Sequence, residues 1–166
     1  DDVIAEAAER AQTTAAAKGV EITTGSHARA QVYGDHGLLV TAVRNLVDNA
    51  VAYSDAGSHV GLGVSERDGV VEIAVVDQGI GIDPEQQVRI FERFYRVDPA
   101  RSRETGGTGL GLSIVKHVAA DHGGDVTVWS EPGRGSTFTL RLPAATLPPG
   151  VTEREGAQII PSKEDQ

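Results

Sequence analysis

Apolar side chains recur at Ile4, Ala8 and Ala11 within the alanine-rich run VIAEAAERAQTTAAAK, the spacing of one helix face, and Gly19 supplies a stop. Val20, Ile22 and Thr24 then alternate with polar neighbours, and Ala30 to Tyr33 forms a second short extended run. From Asp35, a predicted N-cap, Leu39, Val43, Leu46, Val47 and Ala50 fall on one face of a helix that ends near Tyr53, which leaves Asn45, Asp48 and Asn49 near its edge. Strands at about 59–66 and 70–76 flank an Arg-Asp-Gly turn and read as a hairpin; the second, VVEIAVV, is apolar on both faces, as a central strand would be. Asp83-Pro84-Glu85 opens a short helix expected to run to about Phe91. Periodicity is then lost over 97–108. It returns in a helix at 109–122, with Leu110, Ile114, Val115 and Val118 inward and Gly123-Gly124 closing it. Two last strands, 125–130 and 136–142, are joined by a Pro-Gly-Arg-Gly turn, and the Pro-rich, charged remainder reads as a tail.

This order of elements predicts an α/β fold: a two-layer α/β sandwich in which a mixed β-sheet carries helices packed on one face. One domain at 1–142 and a flexible tail at 143–166 are expected, since 39% hydrophobic residues in 166 supply one ordinary core. No stretch approaches the roughly 18 to 20 apolar residues of a membrane span, so direct membrane insertion is not expected. A formal net charge of -9 with no Lys/Arg run disfavours nucleic acid as a partner. The absence of Cys removes disulfides and thiolate metal sites, and the absence of Met implies that these residues belong to a longer protein.

Three separated segments carry candidate chemistry. Asp77-Gln78-Gly79-Ile80-Gly81-Ile82 follows the buried strand: a carboxylate there can accept from the exocyclic amine of adenine, and the glycines let a flat base approach the backbone. Gly106 to Leu112 (Gly-Gly-Thr-Gly-Leu-Gly-Leu) leads from the aperiodic loop into a helix, and its exposed N–H groups together with the helix N-terminus suit phosphate oxygens. It lacks the Lys-Ser/Thr ending of a P-loop and does not follow a strand as the dinucleotide fingerprint does. Asn45 and Asn49, four apart on one helix face, offer amide oxygens that suit Mg²⁺. Taken singly, each segment has a plainer reading: a tight turn, a hinge, a solvated edge.

Together and in this order, with Phe91-Glu92-Arg93-Phe94-Tyr95-Arg96 between the last two, these segments resemble the histidine kinase branch of the ATPase superfamily shared with gyrase, the Hsp90 chaperone and the MutL repair protein. The resemblance spans about residue 3 to Leu142 and implies a Bergerat ATP-binding fold with ATP and Mg²⁺ as cofactors. It implies Asn49 as the metal ligand with Asn45 its companion, Tyr53 beside the base, and Asp77 reading adenine. Gly79, Gly81 and Ile82 would line the base pocket. Gly107, Thr108, Gly109, Leu110, Gly111 and Leu112 would form the phosphate-side lid, and Thr137 would hold the base through a water. Arg96 is the implied phosphate contact, while Phe91 and Phe94 would anchor the lid or dock on the partner. The implied partners are a helical dimerisation domain carrying the phosphoacceptor histidine, and a response regulator. The implied location is cytoplasmic, as part of a membrane-anchored sensor.

At Asn45, the hydrolytic relatives and the anti-sigma-factor serine kinases carry a glutamate acting as general base; an amide has no useful basicity, so water activation is not expected and a histidine nucleophile is. An ATP-hydrolysing clamp and a non-catalytic nucleotide sensor are the competing functions. The sensor draws on Ala52, which stands where many of these kinases have a basic residue and shifts reliance to Mg²⁺, Arg96 and Arg101 or Arg103. The histidines at 27, 36, 59, 117 and 122 show neither zinc spacing nor the phosphoacceptor pattern.

Overall fold

The structure is a computed structural model that describes residues 1–25, 30–97 and 107–145. Helix α1 (Asp2–Lys18) buries Ile4, Ala7, Ala11 and Ala15, a stripe of small side chains that lets another helix approach closely. Gly19 ends it: its N–H donates to the Ala16 carbonyl while that of Val20 donates to Ala15. Strand β1 (Glu21–Thr24) follows. The run at 30–33 is not a strand. The backbone bond found there runs from the Ala145 N–H to the Gln31 carbonyl at 2.6 Å, a tie to the chain beyond the last strand and not a ladder.

Helix α2 (His36–Tyr53) begins as expected, with Asp35 Oδ1 accepting from the Leu38 N–H at 2.8 Å. All five residues predicted to face inward are buried, joined by Val40, Ala42 and Val51. It lies centrally in the helical layer, touching α1 on one side and α4 (Gly111–Asp121) on the other. The α4 stripe is phased differently from the sequence reading: Val115, Val118 and Ala119 are buried, while Ile114 is exposed and Leu110 lies before the helix. Apolar residues at Leu112, Ile114, Val115 and Val118 allow more than one phase, and packing on α2 selects this one. Helix α3 (Pro84–Gln87) is shorter than expected; successive turns, not helix, carry the chain from Val88 through Glu92.

The sheet contains β2 (His59–Arg67), β3 (Val70–Asp77), β4 (Asp125–Glu131) and β5 (Gly135–Pro143) as well as β1, in the order β1-β2-β3-β5-β4. β1 runs parallel to β2 and every other pair is antiparallel, which makes the sheet mixed. Val71, Ile73, Val75 and Asp77 alternate inward on β3 and meet Leu142, Leu140, Phe138 and Ser136 across the β3–β5 ladder. The last of these four pairs is polar. At that end of the sheet the core gives way to a cleft.

β3 is central, yet among the described residues only its inner face is covered: Val76 and Trp129 are 44% and 60% exposed on the other. Pro143, placed in the tail by sequence, closes β5 opposite Val70, and the Ala144 N–H donates to the Gly69 carbonyl at 2.8 Å. The remainder of the expected tail, 146–166, lies outside the described residues, as do 98–106 of the aperiodic loop.

Candidate functional site

A cleft of ≈ 850 Å³ opens between α2, the carboxyl end of β3, the segment 95–97 and the glycine run that leads into α4. Asn45, Asn49 and Tyr53 line it from α2; Asp77, Gly81 and Ile82 from the end of β3 and the loop after it. Arg96, Gly107, Thr108, Gly109, Gly111 and Leu112 form the opposite side. Three segments far apart in sequence thus share one cavity.

Asp77 is 5% exposed at its floor. Its Oδ1 accepts from the Gly79 N–H at 2.8 Å and from the Ser136 N–H at 3.2 Å, which leaves Oδ2 as the oxygen available to a ligand. Burial pushes the carboxyl above the usual carboxylate range, and the two N–H donors oppose that shift without cancelling it. Gly79 does not line the cleft but sits beneath it: a Cβ there would lie 2.5 Å from the Tyr53 carbonyl, so β3's exit and the end of α2 touch through backbone alone. At Gly81, with φ 72°, a Cβ would lie 2.1 Å from the Glu131 carbonyl. The loop is held to the β4–β5 hairpin at this point, by the Gly133 N–H on the Ile80 carbonyl and the Ile82 N–H on Ser130 Oγ, both at 2.8 Å.

On the other side, a Cβ at Gly111 would lie 3.5 Å from Asn45 Oδ1, so the glycine run passes the α2 amide at contact distance with no side chain between. Gly109 packs on the backbone of Phe94, whose N–H donates to the Gly109 carbonyl at 2.9 Å. Phe94 itself has φ 63° and a 71% exposed side chain, whereas Phe91 turns inward and meets Phe138 edge-on at 6.3 Å. The two phenylalanines therefore differ: one joins the core, the other presents its ring to solvent. Arg96 is half-buried, next to Tyr95, whose ring carries the Arg89 guanidinium 4.4 Å above it.

Thr137 is misplaced by the sequence reading. It stands opposite Val76 in the β3–β5 register, on the sheet face away from the helices, while Ser136 beside it faces inward and lines the cleft. Leu110 also falls short of the cavity lining; its N–H donates to Thr108 Oγ1 at 3.3 Å. Sequence reasoning missed Thr14, Ala17 and Lys18 of α1, which complete one wall at helical spacing, and the apolar lining from Ile80, Ile90 and Phe138. It also left Asp48 without a role: this residue lines the cleft, pairs with Arg44 at 3.3 Å, and has its carboxyl pushed up by burial against that pairing.

Arg101 and Arg103 lie outside the described residues, as does His27. None of the other histidines lines the cleft: His36, His59 and His117 are exposed beside Glu6, Glu21 and Asp121, and His122 bridges the Val118 carbonyl and the Asp35 N–H. Among the described residues no cluster of His, Cys, Asp or Glu is gathered for a metal ion, and no helix is long and apolar enough to cross a membrane.

Residues 34–146 match the family described as histidine kinase-, DNA gyrase B- and HSP90-like ATPase. The chain is 55% identical over 143 residues to the sensor-like histidine kinase SenX3 of Mycolicibacterium smegmatis, a match covering 86% of this chain and 37% of that protein. It therefore spans little more than a third of that curated relative's length. Among solved structures it is similar to the mycobacterial sensor histidine kinase MprB, with 34% identity and a TM-score of 0.73 over 88% of this chain and 95% of that one. It is also similar to full-length ShkA in complex with AMPPNP, with 35% identity and a TM-score of 0.76 over 88% of this chain and 30% of that one.

Proposed function

The chain belongs to the histidine kinase-, DNA gyrase B- and HSP90-like ATPase family, as the catalytic domain of a sensor histidine kinase, and on that premise we propose how its residues divide the work. The domain binds ATP with Mg²⁺ in the cleft and transfers the γ-phosphoryl group to a histidine on a helical dimerisation domain; the group then passes to an aspartate of a response regulator. The setting is the cytoplasmic portion of a membrane-anchored sensor. The observation that carries the reading is that Asp77, the α2 amides and the glycine run line the same cleft.

Asp77 Oδ2 accepts from the exocyclic amine of adenine, a charge-assisted bond in a poorly solvated place. Ile80, Ile82 and Phe138 supply apolar surface to the base, and Tyr53 lies beside it. The backbone N–H groups of Gly107, Gly109 and Gly111 face phosphate oxygens at the start of α4, and Arg96 adds positive charge. Asn45 and Asn49 offer amide oxygens, a hard donor set too small to enclose a cation alone, which fits Mg²⁺ because it shares its shell with waters and phosphates. When bound, that ion neutralises charge on the β- and γ-phosphoryl oxygens.

No side chain at position 45 can take a proton from water, so the residues favour positioning over hydrolysis. A neutral imidazole nitrogen attacks phosphorus, the bond to the bridging oxygen breaks, and ADP leaves; the imidazole proton goes to solvent. The test mixes the chain with the helical domain of its parent and labelled ATP. Acid-labile phosphate on histidine is expected, and its absence while nucleotide is bound would overturn the proposal.

A further inference from the structure

We propose that Lys18, at the end of α1, is a positioning residue for the base end of the cleft. The inference rests on reading that cleft as an adenine-nucleotide site. The last carbonyls of a helix lack intrahelical partners. At the end of α2, Lys18 Nζ donates to the Val51 carbonyl at 2.8 Å and to the Ala52 carbonyl as well, from 33 and 34 residues away in sequence. A half-buried ammonium thus fastens α1 to the turn that carries Tyr53, where the negative end of the α2 dipole favours a cation.

What happens at Tyr53 reaches Asp77 through two contacts. The Tyr53 carbonyl lies against Gly79 so closely that no Cβ would fit between them, and the Gly79 N–H holds Asp77 Oδ1. A shift of the α2 terminus therefore moves the donor that orients the carboxylate. Lys18 also lines the cleft, with Thr14 and Ala17, on a helix that precedes the matched residues 34–146. Asn45, by contrast, lies two turns back along α2 beside Gly111, at the phosphate end. The Lys18 ammonium serves the other end, and its effect is on the base and not on the phosphates.

The experiment compares wild type, Lys18→Met, which keeps the aliphatic stem, and Lys18→Arg, which keeps the charge. Affinities for adenosine and for ATP are measured by calorimetry, and the Gly79 amide resonance is followed in the ligand-free proteins. Lys18→Met should weaken adenosine and ATP by the same factor, about tenfold, and shift the Gly79 amide before any ligand is added; Lys18→Arg should recover most of both. Weaker ATP binding with adenosine unchanged would mean direct action on the phosphates and would overturn the proposal. A lowered melting temperature with the Gly79 amide and both affinities unchanged would overturn it too, leaving Lys18 a mere fastening. Wild type binding neither ligand would defeat the nucleotide reading and the proposal together, an outcome distinct from a failure confined to the variants.

Discussion

Desolvation acts on Asp77 in the folded chain whether or not a ligand is present, and only two backbone donors counter it. Asp77→Asn keeps an oxygen for both donors and removes the buried charge, so its melting temperature should equal or exceed that of wild type. Its affinity for ATP should fall by about tenfold or more, the loss of a charge-assisted bond of about 1.5 to 3 kcal/mol; calorimetry and thermal melts on the same samples check both halves. Because folding raises this carboxyl's pKa, the folded state holds the proton more firmly than the unfolded chain. The contribution to stability is complete below the unfolded value, near 3.8, and is lost as pH rises through the raised folded value. Melting temperatures of wild type relative to Asp77→Asn should therefore decline over that window. Ser136 and Thr137 give a sharper contrast: Ser136→Ala should weaken nucleotide binding about threefold to tenfold, and Thr137→Val should leave it unchanged. The Gly-Ser-Thr-Phe run names two adjacent hydroxyls and does not say which faces inward. Phe138, a large apolar residue that has to be buried, would have fixed the phase: two residues before it is Ser136.

Elements whose pattern is strong and whose ends carry chemical stops were legible without coordinates. α2 has a capping carboxylate, a broad apolar face and a defined end at Tyr53; α1 ends at Gly19; both hairpins sit where turn residues mark them. Failures fell where tertiary contact decides between local alternatives. A short alternating run at 30–33 looks like a strand, yet among the described residues no neighbour offers it a ladder, and the phase of α4 depends on which side α2 occupies. Close approach is likewise invisible in sequence. Gly81 reads as a base-pocket glycine, and the structure adds that the hairpin backbone occupies the space a side chain would need. Gly81→Ala combines a left-handed backbone with a clash against main chain, so it should destabilise by at least about 2 kcal/mol, measured by denaturant unfolding. That loss should appear without nucleotide, which separates it from a ligand-contact effect.

At the scale of the whole molecule, the two-layer mixed architecture followed from the order of elements, and the three motif segments do converge on one cleft. The parallel entry of β1 beside β2 was not readable, because a four-residue strand carries too little pattern to declare its partner or direction. Nor was the contribution of α1 to the cleft wall, since Thr14 and Lys18 look like any solvated helix edge until α2 is docked beside them. Among the described residues the sheet separates two surfaces: helices and cleft on one side, an uncovered face bearing Trp129 on the other. Trp129 is the sole tryptophan of the chain, and at 60% exposure it stands among Thr137, Val76 and water. Its fluorescence in the native protein should accordingly be red-shifted and open to quenching by iodide, and saturating ATP should scarcely alter either the emission maximum or the quenching constant. Optical titrations that rely on intrinsic emission would then report no binding at all, and an emitter placed on the cleft side of the sheet would be needed to see it.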